Sequence, residues 1–141
     1  MTIARFLLDT NILSEPLRPQ PNPTVMQRLT DQSEELSTAS VVYHEMLFGC
    51  LRLPKSRRRQ AITAYLQEEV ETRLIIFPYD AEAANWHAAE RARLMGTGRT
   101  PPYLDGQIAA ITIVNDLILV TNNTSDFADF QTLQLQNWFI P

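Results

Sequence analysis

The sequence predicts an α/β fold on a mainly parallel sheet, and two observations carry that prediction. Short runs of apolar, strand-forming residues alternate with longer segments of helical periodicity, the order that βαβ units produce. Acidic and amide residues stand directly after several of those runs, where a parallel sheet presents its carboxyl ends to a ligand.

Residues 3–8 read as the first strand, ended by Asp9. Residues 11–17 make a short helix that Pro19 and Pro21 terminate, and residues 24–29 make another helical piece. Residues 36–39 form a second strand, with Ser40 as N-cap of a helix over 41–51. Residues 57–70 form a helix with Ile62, Leu66 and Val70 on one face, and residues 74–77 a third strand. In the helix over 81–94, Ala81, Ala84, Ala88 and Ala92 recur at helical spacing, a stripe narrow enough for close packing. Gly96-Thr97-Gly98 breaks that helix, and Pro101-Pro102 starts the next, residues 103–114, which is apolar on most sides as a central buried helix would be. Residues 117–120 are a fourth strand and 133–135 a short edge strand.

The 141 residues suit one domain, here 1–141, with room for a sizeable core. With 45% hydrophobic and 20% charged residues the chain has the composition of a folded protein. No apolar run approaches a signal-peptide core or a membrane span. Cys50 is the single cysteine, so no internal disulfide can form, and a cytoplasmic, membrane-free location is expected. The net charge of −4 supplies no general attraction to nucleic acid. RNA contact would need a local patch, for which Arg52, Lys55, Arg57, Arg58 and Arg59 are candidates, although such a run also suits a solvated helix face.

Asp9 ends the first strand, Glu45 lies early in the helix after the second, Asp105 opens the apolar helix, and Asp126 follows the fourth strand. Singly, each could cap a helix, stabilise a turn, answer a helix dipole or face water. Brought together, the four would repel and raise one another's pKa unless a cation neutralised them. Oxygen donors with no cysteine and scarce histidine favour Mg2+ or Mn2+ over zinc. Such an ion serves phosphodiester hydrolysis, by activating water and by neutralising developing charge.

These segments resemble the PIN-domain ribonucleases, and in particular their VapC-like toxins. Residues 7–13 with Asp9-Thr10-Asn11, residues 40–49 with Glu45 four before Gly49, residues 105–110 opening on Asp105-Gly106, and residues 120–127 ending on Asp126-Phe127 are similar to the family's four motifs in order. The matches run from residue 6 to residue 138. The resemblance implies a three-layer α/β/α sandwich around the parallel sheet. It implies that Asp9, Glu45, Asp105 and Asp126 hold one or two divalent ions for RNA cleavage, with Asn11, Thr121 and Asn123 supporting them through hydrogen bonds. A homodimer and an inhibitory antitoxin partner are implied too. Asn122 falls at a variable position.

His44 is expected to be structural, since neighbours on a helix point apart, and His87 to be partly exposed. Trp86, Trp138 and Phe139 are expected to pack rather than stack on bases, and Cys50 has no mark of reactivity. The segment 96–98 reads as a hinge, and Arg99 after it could meet a phosphate. A receiver-like phospho-acceptor domain also gathers carboxylates at strand ends, but it needs a lysine at the end of a late strand, and Lys55 is the only lysine. A haloacid-type phosphatase would need an aspartate where Asn11 stands. A non-catalytic module that docks an arginine-bearing partner on the acidic cluster is the alternative from another class.

Overall fold

The computed structural model describes residues 3–141. Five parallel strands form one sheet: β1 (Phe6–Leu8), β2 (Leu36–Ala39), β3 (Ile75–Phe77), β4 (Ile118–Val120) and β5 (Leu135–Gln136), in the spatial order β3-β2-β1-β4-β5. Helices cover the sheet as a three-layer α/β/α sandwich. The chain builds outward from β1 through β2 to β3, then returns through two helices to place β4 on the other side of β1. The strand order therefore reverses between β1 and β4, which opens a crevice beyond their carboxyl ends.

Every residue of β1 is buried, as the middle strand of a sheet covered on both faces requires. Phe6 pairs with Leu36 on one side and Ile118 on the other, which fixes the register of all three strands. Two buried hydroxyls of β2 reinforce β1: Ser37 Oγ donates to the Phe6 carbonyl and Thr38 Oγ1 to the Leu8 carbonyl, both at 2.8 Å. Trp138 is 2% exposed and meets Phe6 edge-on at 5.1 Å, so it packs as expected.

Several sequence expectations shift at this level. The first strand begins at Phe6 rather than residue 3, and Ile3 is exposed. The helix expected over 11–17 is α1 (Thr10–Leu13) followed by a separate 3-10 turn, Glu15–Leu17. Pro16 has no N–H to continue an α-helical ladder, and its ring crowds the preceding turn. α2 spans Pro23–Asp31 with Asn22 as its cap. In α3 (Ser40–Leu51) the cap position is Ala39, not Ser40, and no side chain caps it. α4 (Arg57–Tyr65) gives way to a π-helical turn, Leu66–Glu71, which turns both Leu66 and Val70 into the core.

The alanine stripe of α5 (Ala81–Gly96) is the clearest correction. Its buried face is Ala83, His87, Glu90 and Leu94, whereas Ala81, Ala88 and Ala92 are exposed. Alanine loses little on either face, so the larger residues set the helix rotation. His87, expected to be partly exposed, is accordingly 3% exposed. α5 ends at Gly96, and Gly98 takes a φ of 79°, open to glycine at no steric cost. α6 (Tyr103–Val114) matches its expected limits and buries Ile108 to Thr112. α7 (Thr124–Phe127) is a single turn anchored by buried Phe127. Among the described residues no helix is long and apolar enough to cross a membrane.

Candidate active site

Asp9 and Thr121 sit side by side where β1 and β4 end, at the reversal of strand order. The backbone places them there: Asp9 N–H donates to the Val120 carbonyl at 3.0 Å and Thr121 N–H to the Gln136 carbonyl at 3.0 Å. Thr121, with no exposed surface, donates its hydroxyl to Asp9 Oδ2 at 2.8 Å. The other carboxylate oxygen, Oδ1, accepts the Thr10 N–H at 2.8 Å, which makes Asp9 the cap of α1.

The supporting amides fall around that pair. Asn11 Nδ2 lies 3.4 Å from Asp9 Oδ2 and 3.3 Å from Thr121 Oγ1, donating toward both. Asn11 Oδ1 accepts the N–H of Asn122 at 2.9 Å, and Thr121 Oγ1 accepts the N–H of Asn123 at 3.0 Å. Asn123 thus contributes through its backbone. Asn122, set aside in the sequence, holds the turn twice, by that N–H and by a side-chain oxygen that accepts from Asn137 Nδ2 at 3.2 Å. The first of these contacts is a backbone donor with no residue preference, and the second joins positions 15 apart, so no local side-chain pattern marked it.

Three carboxylates feel one another. Asp9 is 7% exposed, and burial raises its pKa against the lowering hydrogen bonds of Thr121, Thr10 and Asn11, with the charge of Asp126 adding to the rise. Asp105, in the first turn of α6, is pushed up to about 6 by burial, then by the charges of Asp126 and Asp9. Asp126 is exposed on α7. Glu45 is exposed on α3, a helix that packs against both α1 and α6, but it does not figure among the charges acting on Asp9 or Asp105. Among the described residues no three acidic, histidine or cysteine side chains close on a common point.

The basic candidates divide among several surfaces. Arg99 and Asp129 form an ion pair, and both line a cleft together with Asp105 and Asp126. Arg58 and Arg18 line a groove that starts at Thr10 and Ser14. Lys55 and Arg59 face a neighbouring groove, and Arg59 also donates to the Leu53 carbonyl at 3.2 Å. Arg52 lies over exposed Phe48, on which His44 also stacks, and Arg57, itself exposed, opens α4. Cys50 is buried against Thr63.

Residues 6–132 match the model of the PIN domain family. This chain belongs to the PIN-domain family. It is 30% identical over 134 residues to a tRNA(fMet)-specific endonuclease VapC of Shigella flexneri, covering 95% of this chain and 98% of that one. Among solved structures, FitAcB from Neisseria gonorrhoeae superposes with a TM-score of 0.84 at 27% identity, over 96% of this chain and 99% of that one. VapBC2 from Rickettsia felis, bound to a DNA fragment from their promoter, gives 0.80 at 25% identity over 96% and 98%. The relatives of this PIN domain are thus VapC-like ribonucleases and toxins.

The raised carboxyl of Asp105 gives the PIN domain a pH signature. Its charged form is disfavoured by folding, so its contribution to stability is complete below about 4, the ordinary aspartate value, and is lost as pH rises through about 6. His87, whose pKa burial and then Arg91 lower, acts in the opposite sense, costing stability as pH falls below its ordinary value. The difference between wild type and Asp105→Asn isolates the carboxyl. In urea titrations with EDTA, wild type should lose stability relative to that variant as pH rises from about 4 to about 6.5. Parallel pH profiles for the two proteins would refute the assignment.

Proposed function

We propose that this chain is a divalent-metal-dependent ribonuclease that acts as the toxin of a toxin–antitoxin pair. The observation that carries the reading is a set of aspartates at the reversal of strand order, two of them with raised pKa and all three mutually repelling. Such a set is stabilised by bound positive charge, and its donors are all hard oxygens, which fits Mg2+ or Mn2+. Asp9, Asp105 and Asp126 would hold the ion, with Glu45 reaching in from α3. Bound there, it supplies Lewis acidity toward the attacking water and the phosphoryl oxygen.

The chain's own groups do the remaining work. Thr121, Asn11 and the Thr10 N–H fix the Asp9 carboxylate in one orientation, so it need not reorganise as substrate enters. Without the ion Asp105 titrates near 6, so below that pH a proton competes with the metal for its carboxylate. Arg99 at one lip, with Arg58 and Arg18 along the groove from Thr10, offers cations to phosphates flanking the cleaved bond. Arg52, Lys55, Arg57 and Arg59 extend the basic surface beyond it.

Purified protein should cleave RNA with Mg2+ or Mn2+ and stop in EDTA. Asp9→Asn should lower cleavage by at least about 1000-fold, since it removes the best-fixed charge at the reacting centre. Thermal stability without metal should hold or rise, because burial opposes the Asp9 charge. A fully active Asp9→Asn protein, or a wild type that binds a partner and cleaves nothing, would return the acidic cluster to a docking role.

The partner in this reading is a small antitoxin that wraps the enzyme, acting on a homodimer whose mass light scattering would read. The groove between α1, α3 and α4, walled by Leu17, Met46 and Ile62, suits an apolar helix face. The carboxylates suit a guanidinium that competes with the metal. Replacing that arginine of the partner should restore cleavage while the complex survives. Continued inhibition would leave occlusion as the whole mechanism.

A further inference from the structure

Gly106 follows Asp105 on the first turn of α6, and its missing side chain is not empty space. A Cβ at residue 106 would stand 2.2 Å from His87 Nε2, 2.7 Å from its Cδ2 and 3.0 Å from its Cε1. The imidazole edge therefore occupies the volume in which any other residue would place its side chain. The ring is held from several sides. Its Nδ1 is 2.8 Å from the Tyr79 hydroxyl, its ring centre lies 4.9 Å from that of Tyr103 with the planes tilted by 53°, and it is 3% exposed. Tyr103 is in turn covered by the Arg91 guanidinium at 5.2 Å. Tyr103 and Gly106 are three residues apart, so both meet α5 on one face of α6, while Asp105 projects from the adjoining face.

We propose that His87 is a positioning residue for Asp105, setting how closely the first turn of α6 seats on α5 and hence where the Asp105 carboxylate stands relative to Asp9. It acts through packing against Gly106 and touches neither substrate nor metal. The proposal rests on Asp105 being a metal ligand.

The test is a compensation cycle of Gly106→Ala, His87→Ala and the double variant, read by Mn2+ affinity in calorimetry and by kcat and KM on RNA. Alanine in place of a helical glycine ordinarily stabilises. Here it must push α6 away from the imidazole. Gly106→Ala should weaken Mn2+ binding and lower kcat by about tenfold or more, with KM for RNA little changed. In His87→Ala/Gly106→Ala the methyl fills part of the vacated volume, and Mn2+ affinity should return to within about threefold of wild type. If Gly106→Ala does not fold, the double variant decides alone: recovery of fold and Mn2+ affinity supports the proposal, and failure to recover overturns it. Wild-type Mn2+ affinity in Gly106→Ala, or a double variant no better than it, also overturns it. Asp105→Asn separates the two readings: unchanged Mn2+ affinity there removes the metal-ligand assignment itself, whereas its loss beside an unaffected Gly106→Ala removes only the role of His87.

Discussion

The hydrogen bond from Thr121 to Asp9 joins residues 112 apart in sequence across the two strands where the sheet changes direction. Its geometry follows from the β1–β4 register, in which Leu8 stands opposite Val120, so that the next residue of each strand emerges at the same level. The register follows from a middle strand with no exposed residue, since slipping by one would turn its side chains to the opposite face. The site thus inherits its precision from the most buried part of the molecule. The loops only complete it, through Asn11, Asn122 and Asn123.

Side-chain chemistry at strand ends was legible in the sequence. Asp9-Thr10-Asn11 and Thr121-Asn122-Asn123 stand where apolar runs stop, and α6 announces itself by apolar residues on most sides. What could not be read was rotation and backbone. The face of α5 was misjudged because alanines recur on it at helical spacing, whereas burial was decided by His87, Glu90 and Leu94. Glu90 is a buried acid that looks anomalous until its partners are known. Arg93 donates to both its oxygens at 2.7 and 2.8 Å, and Gln131 N–H donates at 2.7 Å. Those bonds, with Arg93 on the Asp129 carbonyl, tie the segment after α7 to α5, a link between positions 36 apart that no local pattern records.

Charge shows the same division between composition and arrangement. The net charge of −4 argues against general attraction to RNA, yet the cations are not spread evenly. Glu90 holds Arg93 and Asp129 holds Arg99, while Arg58 stands at the groove that leads from Thr10. The pair of Arg99 and Asp129 is more than half exposed on the arginine side, so it contributes little to stability and can exchange partners cheaply. In the proposed reading a phosphate entering the cleft would meet Arg99 at its edge, and Arg52, Lys55, Arg57 and Arg59 would be secondary to it.

The carboxylates impose a cost on the fold that the rest of the molecule must offset. Asp9 and Asp105 both have their charged forms disfavoured by burial and by neighbouring acids, which is strain held in the folded state at neutral pH. The offset comes from packing and hydrogen bonds around the carboxylates: the apolar body of α6, the buried hydroxyls of β2 on β1, and the aromatic seat around His87. A cation that neutralises the aspartates would relieve the same strain, so metal affinity and folding stability draw on one source of free energy. A partner's arginine placed there, as proposed, would relieve it too, without supplying Lewis acidity. Inhibition by such a group would then stabilise the enzyme as it silences it, which is the behaviour a stored, inactive nuclease requires.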